Sequence, residues 1–187
     1  LRVAPKPRGE GNEFIDSIKG GAIPAEFIKA IQKGVVESEE NGIYLGYPVV
    51  DMSVEVYDGS FHDVDSSEIA FKIAASKALQ IAAKNAKLTL LEPIMKVEVT
   101  TPSEFLGDVI GDLSSKRAQI SGTDEHGKAT IINAIAPLSE LSGYATTLRS
   151  MTQGRASYYM EPSHYEEVPQ NIQAQMVAAS TFTGRVE

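Results

Sequence analysis

The residues whose types could carry chemistry are concentrated in one short stretch, VYDGSFHDVDSSE, at residues 56–68. It holds His62, one of three histidines in the chain, close to Asp58 and Asp63. Carboxylates beside an imidazole can coordinate a hard divalent cation. They can also act as general acid and base where a buried pocket tunes their pKa values. One interpretation is therefore a small metal-dependent hydrolase that uses Asp58, His62 and Asp63.

Ordinary backbone requirements account for most of the same residues. Asp58 followed by Gly59 is typical of a turn, and Asp65 followed by Glu68 has the spacing of a capping box at a helix start. No glutamate occupies the twelfth position that an EF-hand loop needs. We therefore predict no catalytic residue and no metal ligand in this chain. Composition alone leaves His62 open between a solvated turn and a loop that contacts a partner.

The elements on either side of this stretch must position it. Val50, Met52, Val54 and Val56 alternate with polar residues, which predicts a strand. Residues 66–87 predict a long helix that is almost entirely apolar outside one polar stripe, so we expect a broad buried face. The stripe could be a solvated face or could contact phosphate groups, and its four lysines are Lys72, Lys77, Lys84 and Lys87.

The other periodicities divide the chain into two halves, joined near Glu92 and Pro93, where the proline predicts a hinge. The first half is predicted to run strand, strand, helix, strand, helix. Its first helix extends from Pro24 to Glu40 and ends at Gly42.

The second half is predicted to run strand, helix, strand, strand, helix, strand, the order of a ferredoxin-like βαββαβ domain. Thr101, Pro102 and Glu104 predict a capped start for its first helix. One helix is predicted over residues 139–154, and the last strand over residues 155–161. From Gln170 the chain is polar and weakly periodic, which leaves a frayed helix and disorder both open.

Composition places limits on the function. The chain has 187 residues, 42% of them hydrophobic, which suits one globular domain or two small ones. It has no cysteine for a disulfide or thiolate zinc site, and no run of the ~18–20 apolar residues that a membrane helix needs. Its net charge of −8 means that any nucleic-acid contact must come from local patches. Since no initiator methionine is present, we expect a piece of a longer protein.

Several long motifs occur in an order that resembles one family. They are GYPVVDMSVEVYDGSFHDVDSSEIAFKIAASKAL, LLEPIMKVEV, GDVIGDL and PLSELSGYATTLRSMTQGRASYYMEPSHYEEVP, and together they resemble the C-terminal part of bacterial elongation factor G. The resemblance implies an α+β protein of two domains. Residues 1–91 would be the family's fourth domain, which resembles a small-subunit ribosomal protein and has a left-handed βαβ crossover. Residues 94–169 would be the ferredoxin-like fifth domain, and residues 170–187 a C-terminal tail.

The resemblance also implies a function and a set of partners. The whole factor would be a cytoplasmic, ribosome-dependent GTPase that drives translocation of tRNA and mRNA. Its GTP and Mg²⁺ would bind an N-terminal domain absent from this sequence, so we expect no cofactor here and no enzymatic activity. The expected partners are the ribosome, through rRNA, A-site tRNA and mRNA, and the N-terminal domains of the same factor. We expect a monomer without membrane contact.

The family's site residues carry over to two sets of positions. The loop that would contact tRNA and mRNA, with His62 prominent and Phe61 where the family often has tyrosine, comprises Tyr57, Asp58, Gly59, Ser60, Phe61, His62, Asp63 and Val64. The candidates for rRNA contact are Lys72, Lys77, Lys84, Lys87, Arg117, Arg149 and Arg155. A specialised paralogue acting in ribosome recycling or ribosome protection is the alternative within the family.

Overall fold

The computed structural model describes residues 1–181. These residues form two compact units, one of residues 1–88 and 174–181, the other of residues 89–173. Each unit contains a sheet and helices, so the predicted α+β class is confirmed. The end of the expected tail, residues 182–187, lies outside the described range, whereas Gln170–Ala179 forms a helix, α5.

The first unit has the predicted element order. Its elements are β1 (Arg2–Pro5), β2 (Glu13–Asp16), α1 (Ala25–Asn41), β3 (Met52–Val56) and α2 (Glu68–Asn85). The sheet order is β1-β3-β2, with β1 antiparallel and β2 parallel to the central β3. The parallel pair is joined through α1, which makes a βαβ element. Gly42 ends α1 with φ 81°, as its position after the last apolar residue predicts.

The core of the first unit lies between its sheet and its two helices. Val54 of β3 and Leu79 of α2 are fully buried, and Phe27 and Val35 of α1 pack with them. The helices approach closely at Gly34, because a Cβ at this position would overlap the backbone carbonyl oxygen of Lys72. The alternation predicted for β3 is also present, because Met52, Val54 and Val56 are buried on this core and the residues between them are half-buried.

Helix α2 differs from its prediction in two respects. Its buried face is narrow, because only Ala75, Leu79 and Ala83 are buried along it. The predicted broad buried face is therefore wrong, and three isoleucines on the helix are exposed instead: Ile69, Ile73 and Ile81. Apolar residues on most sides of a helix do not ensure burial on most sides, because only the side that faces another element is covered.

The N-cap of α2 also differs from its prediction. The cap is Ser67, whose Oγ accepts a hydrogen bond from the Ala70 N–H at 3.1 Å. The capping box predicted from Asp65 and Glu68 is therefore wrong. Asp65 lies in the turn before the helix. Asp65, Ser66 and Ser67 are all residue types that favour the N-cap position, and Ser67 occupies it.

The second unit is ferredoxin-like. Its elements are β4 (Leu91–Pro102), α3 (Leu106–Ser115), β5 (Gln119–His126), β6 (Ala129–Pro137), α4 (Tyr144–Met151) and β7 (Ser157–Glu167). The sheet order is β5-β6-β4-β7 and every neighbouring pair is antiparallel. The core is formed by residues such as Val99 of β4, Leu113 of α3, Ile132 of β6 and Leu148 of α4, all almost fully buried.

The predicted hinge at Glu92 and Pro93 is wrong. Both residues lie inside β4, where they pair with Glu166 and Tyr165 of β7. Pairing of β4 with β6 starts only at Ile94, so at Pro93 the strand pairs with β7 alone. The N–H that proline lacks therefore costs no hydrogen bond to β6.

Three further expectations in the second unit need correction. Thr101 is no helix cap: it is fully buried within β4, and a short 3₁₀ turn, Ser103–Phe105, precedes α3. The helix predicted over residues 139–154 is divided by Gly143, which has φ 71° and separates a 3₁₀ turn from α4. The last strand extends to Glu167, so that His164 lies within β7.

The predicted stop of this helix at Gly154 is confirmed, since Gly154 has φ 74°. Among residues 1–181, no helix is long and apolar enough to cross a membrane.

Candidate nucleic-acid interface

The segment Tyr57–Val64, called here the tip loop, leaves the sheet at the end of β3. Val56 is buried, and its carbonyl oxygen accepts a hydrogen bond from the Ser17 N–H at 2.8 Å. Every residue of the tip loop is exposed. The loop thus begins at a fixed point on the core and ends a few residues before Ser67 at the start of α2. Two rigid elements therefore position eight exposed residues.

Two hydrogen bonds close the far end of the tip loop. The His62 N–H donates to Ser66 Oγ at 2.9 Å, and the Ser66 N–H donates to the His62 carbonyl oxygen at 3.1 Å. Both backbone groups of His62 are thereby occupied while its side chain stays exposed. Within residues 1–181, no protein group hydrogen-bonds to the His62 imidazole. The ring is therefore presented to solvent from a fixed backbone.

Phe61 anchors the loop from inside. Its ring lies 6.0 Å from that of Phe27, which is stacked at 4.7 Å on Phe71 of α2. The side chain is 37% exposed, so it is shared between the core edge and the solvent. Aromatic pairs at these distances stabilise an arrangement beyond their buried area. Phe61 therefore connects the tip loop to the edge of the core while part of its ring stays exposed.

The near end of the tip loop passes close to the core at Gly59. A Cβ at Gly59 would lie 2.5 Å from Cδ1 of Ile23, closer than carbon atoms approach in proteins. The Gly59 N–H is oriented towards the Asp58 carboxylate, 2.8 Å from Oδ1. Asp58 is thereby occupied by its own backbone neighbour. The turn predicted at Asp58 and Gly59 is wrong, because the turn of this segment lies at Asp63–Asp65. The close approach to Ile23 could not be read from the sequence.

Tyr57 carries a stacked arginine. The Arg2 guanidinium lies 4.9 Å from the centre of the Tyr57 ring and makes a 2.7 Å ion pair with Glu55. The Ser17 hydroxyl and the Arg2 guanidinium lower the pKa of the Glu55 carboxyl. Arg2 was not among the predicted site residues, because nothing in the spacing links it to a residue 55 positions away. It places a guanidinium group, already paired with Glu55, on the surface beside the tip loop.

Val64 is the most exposed large apolar side chain among residues 1–181, at 92%. It lies in the turn Asp63–Asp65 that leads to α2. An apolar residue held so far out contributes nothing to the core. Only the resemblance to the family assigned Val64 to the contact loop, and its contact with a partner stays a prediction.

The chemistry of a hydrolase is not assembled here. Among residues 1–181, no three His, Asp or Glu side chains are close enough together to hold a metal ion. Asp58 bonds to the Gly59 N–H, and no hydrogen bond in the described part of the chain joins Asp63 to His62. Asp58, His62 and Asp63 lie on one exposed loop without the pocket that would tune their pKa values.

The predicted basic residues divide into two groups. Lys72 pairs with Glu37 at 2.6 Å, and Arg155 pairs with Glu104 at 2.7 Å while lying over the Phe105 ring. The other group is exposed and makes no ion pair within the described part of the chain: Lys77, Lys84, Lys87 and Arg149. Only this second group offers unpaired positive charge to a phosphate.

Arg117 belongs with the paired residues and has a structural role. Both of its terminal nitrogens donate to the Glu92 carboxylate, Nη1 at 3.2 Å from Oε2, and Nη1 also lies 3.6 Å from Glu140 Oε1. Hydrogen bonding to Glu92 raises the pKa of Arg117. Glu92 is only 8% exposed, so this forked pair satisfies a buried carboxylate in β4. Because both terminal nitrogens of Arg117 donate to Glu92, few of its donors remain for an RNA phosphate.

Comparison with known proteins agrees with this domain pair. Two family models match the chain: "Elongation factor G, domain IV" over residues 1–87 and "Elongation factor G C-terminus" over residues 89–176. Both models describe parts of a translation factor, so this is the class of protein that the two units represent. The chain belongs to the elongation factor G family.

Individual relatives show how much of such a protein is present. The chain is 55% identical over 185 residues to elongation factor G of Aquifex pyrophilus, an alignment that covers 99% of this chain and 26% of the relative. A crystal structure of a protein from Thermus thermophilus is similar with a TM-score of 0.78 and 38% identity, covering 94% of this chain and 26% of that one. The chain therefore spans about a quarter of the length of both.

Proposed function

We propose that this chain is the ribosome-contacting C-terminal part of a translocation factor. In this proposal residues 1–91 act as the fourth domain, residues 94–169 as the fifth, and residues 170–187 as a tail. The parent is a cytoplasmic, monomeric, ribosome-dependent GTPase that moves tRNA and mRNA. GTP and Mg²⁺ bind elsewhere in the parent, and this chain has no catalytic role of its own. The family matches to its two halves support the assignment.

The observation that carries the proposal is the construction of the tip loop. Its His62 backbone is fixed in both directions, yet the imidazole and the neighbouring Ser60 and Val64 are free to solvent. Recognition of an RNA duplex by shape needs donors and small apolar groups on a rigid base rather than a deep pocket. We therefore propose that the tip loop contacts A-site tRNA and mRNA.

A smaller set of basic residues is proposed for rRNA. Lys77, Lys84, Lys87 and Arg149 are exposed and carry no ion pair within residues 1–181, so phosphate binding would cost them no internal partner. Lys72, Arg117 and Arg155 are held by acids, and we assign them a structural role instead. The net charge of −8 suits contact through a loop and isolated lysines rather than through a broad basic face.

Chemical footprinting of ribosomes bound by the intact parent tests the proposal. We expect protection of decoding-region nucleotides and A-site tRNA by the wild type, and loss of that part of the footprint in His62→Ala. Protection by the fifth domain should persist in the same variant, which shows that the factor still binds. An unchanged decoding-region footprint in His62→Ala would contradict the assignment of the tip loop.

A further inference from the structure

A cleft of about 330 Å³ lies in the first unit beside the second half of α1, away from the tip loop. One wall is α1, with Val36, Glu39 and Glu40. The opposite wall is formed by Phe14 at the start of β2 and by Val49 before β3. A water molecule occupies about 30 Å³ in the liquid, so the cleft has room for a small organic group.

Glu39 is the unusual residue of this cleft. It is 5% exposed, and its Oε1 is buried without any hydrogen-bond partner among residues 1–181. The same residue is fixed through its backbone, since its carbonyl oxygen accepts from the Val49 N–H at 2.8 Å. Burial raises the pKa of the Glu39 carboxyl, the Asn12 side chain partly opposes this, and Glu40 adds to it. A buried acceptor without a donor is costly, and native proteins rarely leave one unused.

The charges around the cleft all favour a cation. Glu13, Glu39 and Glu40 line it, and no lysine or arginine does. Of the three glutamates, Glu13 is paired, since its carboxylate lies 3.5 Å from the Lys6 ammonium. The last turn of α1 contains no basic residue to offset the negative end of the helix dipole. A bound cation would satisfy the buried carboxylate and the helix end together.

We propose that this cleft binds an organic cation, an alkylammonium or guanidinium group on an apolar stem, with the Glu39 carboxylate as counter-ion. The stem would lie against Phe14, Val36 and Val49, in the way that long basic side chains cover apolar surface. A compact divalent ion is a poorer fit. Within the described part of the chain, no three carboxylate or histidine groups converge as such an ion requires.

The cationic group could come from a free polyamine or from a lysine or arginine side chain of a protein partner. Backbone-amide NMR titrations of the 187-residue chain, with spermidine in one series and N-acetyl-arginine methylamide in another, distinguish the two sources. We expect saturable shifts confined to the amides of residues 36–40 and of Val49. The source is the one whose probe binds more tightly at equal ionic strength.

Two variants make the test specific. Glu39→Gln keeps the shape and removes the charge, and should weaken binding by about tenfold or more, as loss of a charge-assisted hydrogen bond does. Glu26→Gln makes the same change at an exposed position on the first turn of α1, outside the cleft, and should bind like the wild type. Binding should also weaken as the pH falls and Glu39 takes up a proton.

A third variant keeps the proposal testable if Glu39→Gln folds poorly. Val36 lines the cleft one helical turn before Glu39 and is 39% exposed, so Val36→Lys supplies an internal ammonium group to the same carboxylate. It should fold and should no longer bind either probe. Absence of saturable binding by both probes to the wild type would overturn the proposal. Binding unchanged in both Glu39→Gln and Val36→Lys would overturn it equally.

Discussion

His62 and Ser66 are joined by a reciprocal pair of hydrogen bonds. The His62 N–H donates to Ser66 Oγ at 2.9 Å, and the Ser66 N–H returns a bond to the His62 carbonyl oxygen at 3.1 Å. The pair fixes the backbone from which the exposed imidazole projects. It makes Ser66 a positioning residue for whatever the tip loop touches.

Ser66→Ala should loosen the tip loop with little effect on the fold. The substitution removes the acceptor for the His62 N–H, and an exposed hydrogen bond of this kind is worth about 0.5–1.5 kcal/mol. We expect faster hydrogen exchange at the His62 amide and a melting temperature lowered by no more than a few degrees. Ser60→Ala, in the same loop and without such a bond among residues 1–181, is the matched control. Equal exchange rates in wild type and Ser66→Ala would show that the Ser66 hydrogen bond does not hold the loop.

Gly34→Ala should destabilise the first unit. A methyl group there would overlap the Lys72 carbonyl oxygen, and both sides of the contact are backbone that cannot move independently. Overpacking of this kind costs about 1–3 kcal/mol. Gly107→Ala is the control, because it lies in α3 with no atom within 4 Å of its added methyl. Urea unfolding should show a loss for Gly34→Ala and none for Gly107→Ala, and a neutral Gly34→Ala would mean that the helices can separate without cost.

Removal of Arg117 should cost more than removal of Arg155. Arg117→Ala leaves Glu92, with its side chain 10% exposed, without its partner, which we expect to cost about 2–3 kcal/mol. Arg155 pairs with Glu104 at the surface, with side chains 47% and 60% exposed, and such pairs are worth under about 1 kcal/mol. Thermal unfolding of both variants tests this order. Equal losses would contradict the structural role of Arg117.

The raised pKa of Glu39 predicts a pH-dependent stability. Below the ordinary value of 4.5 the carboxyl is protonated in both folded and unfolded chains. Above it the unfolded chain releases the proton first, so Glu39 lowers the free energy of unfolding as the pH rises through the folded pKa. Glu39→Gln should therefore be more stable than the wild type at pH 7 and not at pH 4, as measured by urea unfolding. A gain of equal size at both pH values would show that burial does not raise this pKa.

The element order of both units followed from periodicity, because β3, β4 and β6 alternate with one buried face and α1 begins after Pro24 and ends at Gly42. Side-chain roles that depend on distant residues did not follow. Asp65, Ser66 and Ser67 are all suitable caps by type, and only the path of the chain assigns the cap to Ser67. The Arg117–Glu92 pair joins residues 25 apart across two elements, which no local pattern records.

The tip loop shows the same division. Its residue types did not decide whether His62 lies in a solvated turn or in a loop that contacts a partner. Only the resemblance to a family favoured contact with a partner. The structure adds how the loop is held: by Phe27 under Phe61, Ile23 against Gly59, and Ser66 behind His62. Phe27 and Ile23 could not be chosen from spacing, since their contacts depend on how the chain around α1 packs beside the tip loop.

The most direct test of the central claim is the rate of tRNA–mRNA translocation by the intact factor carrying His62→Ala. The imidazole is exposed and unpaired within residues 1–181, so its removal should change stability by no more than about 0.5 kcal/mol. We predict slower translocation with ribosome-stimulated GTP hydrolysis and melting temperature close to wild type. Translocation at the wild-type rate would contradict the assignment of the tip loop as the tRNA–mRNA contact.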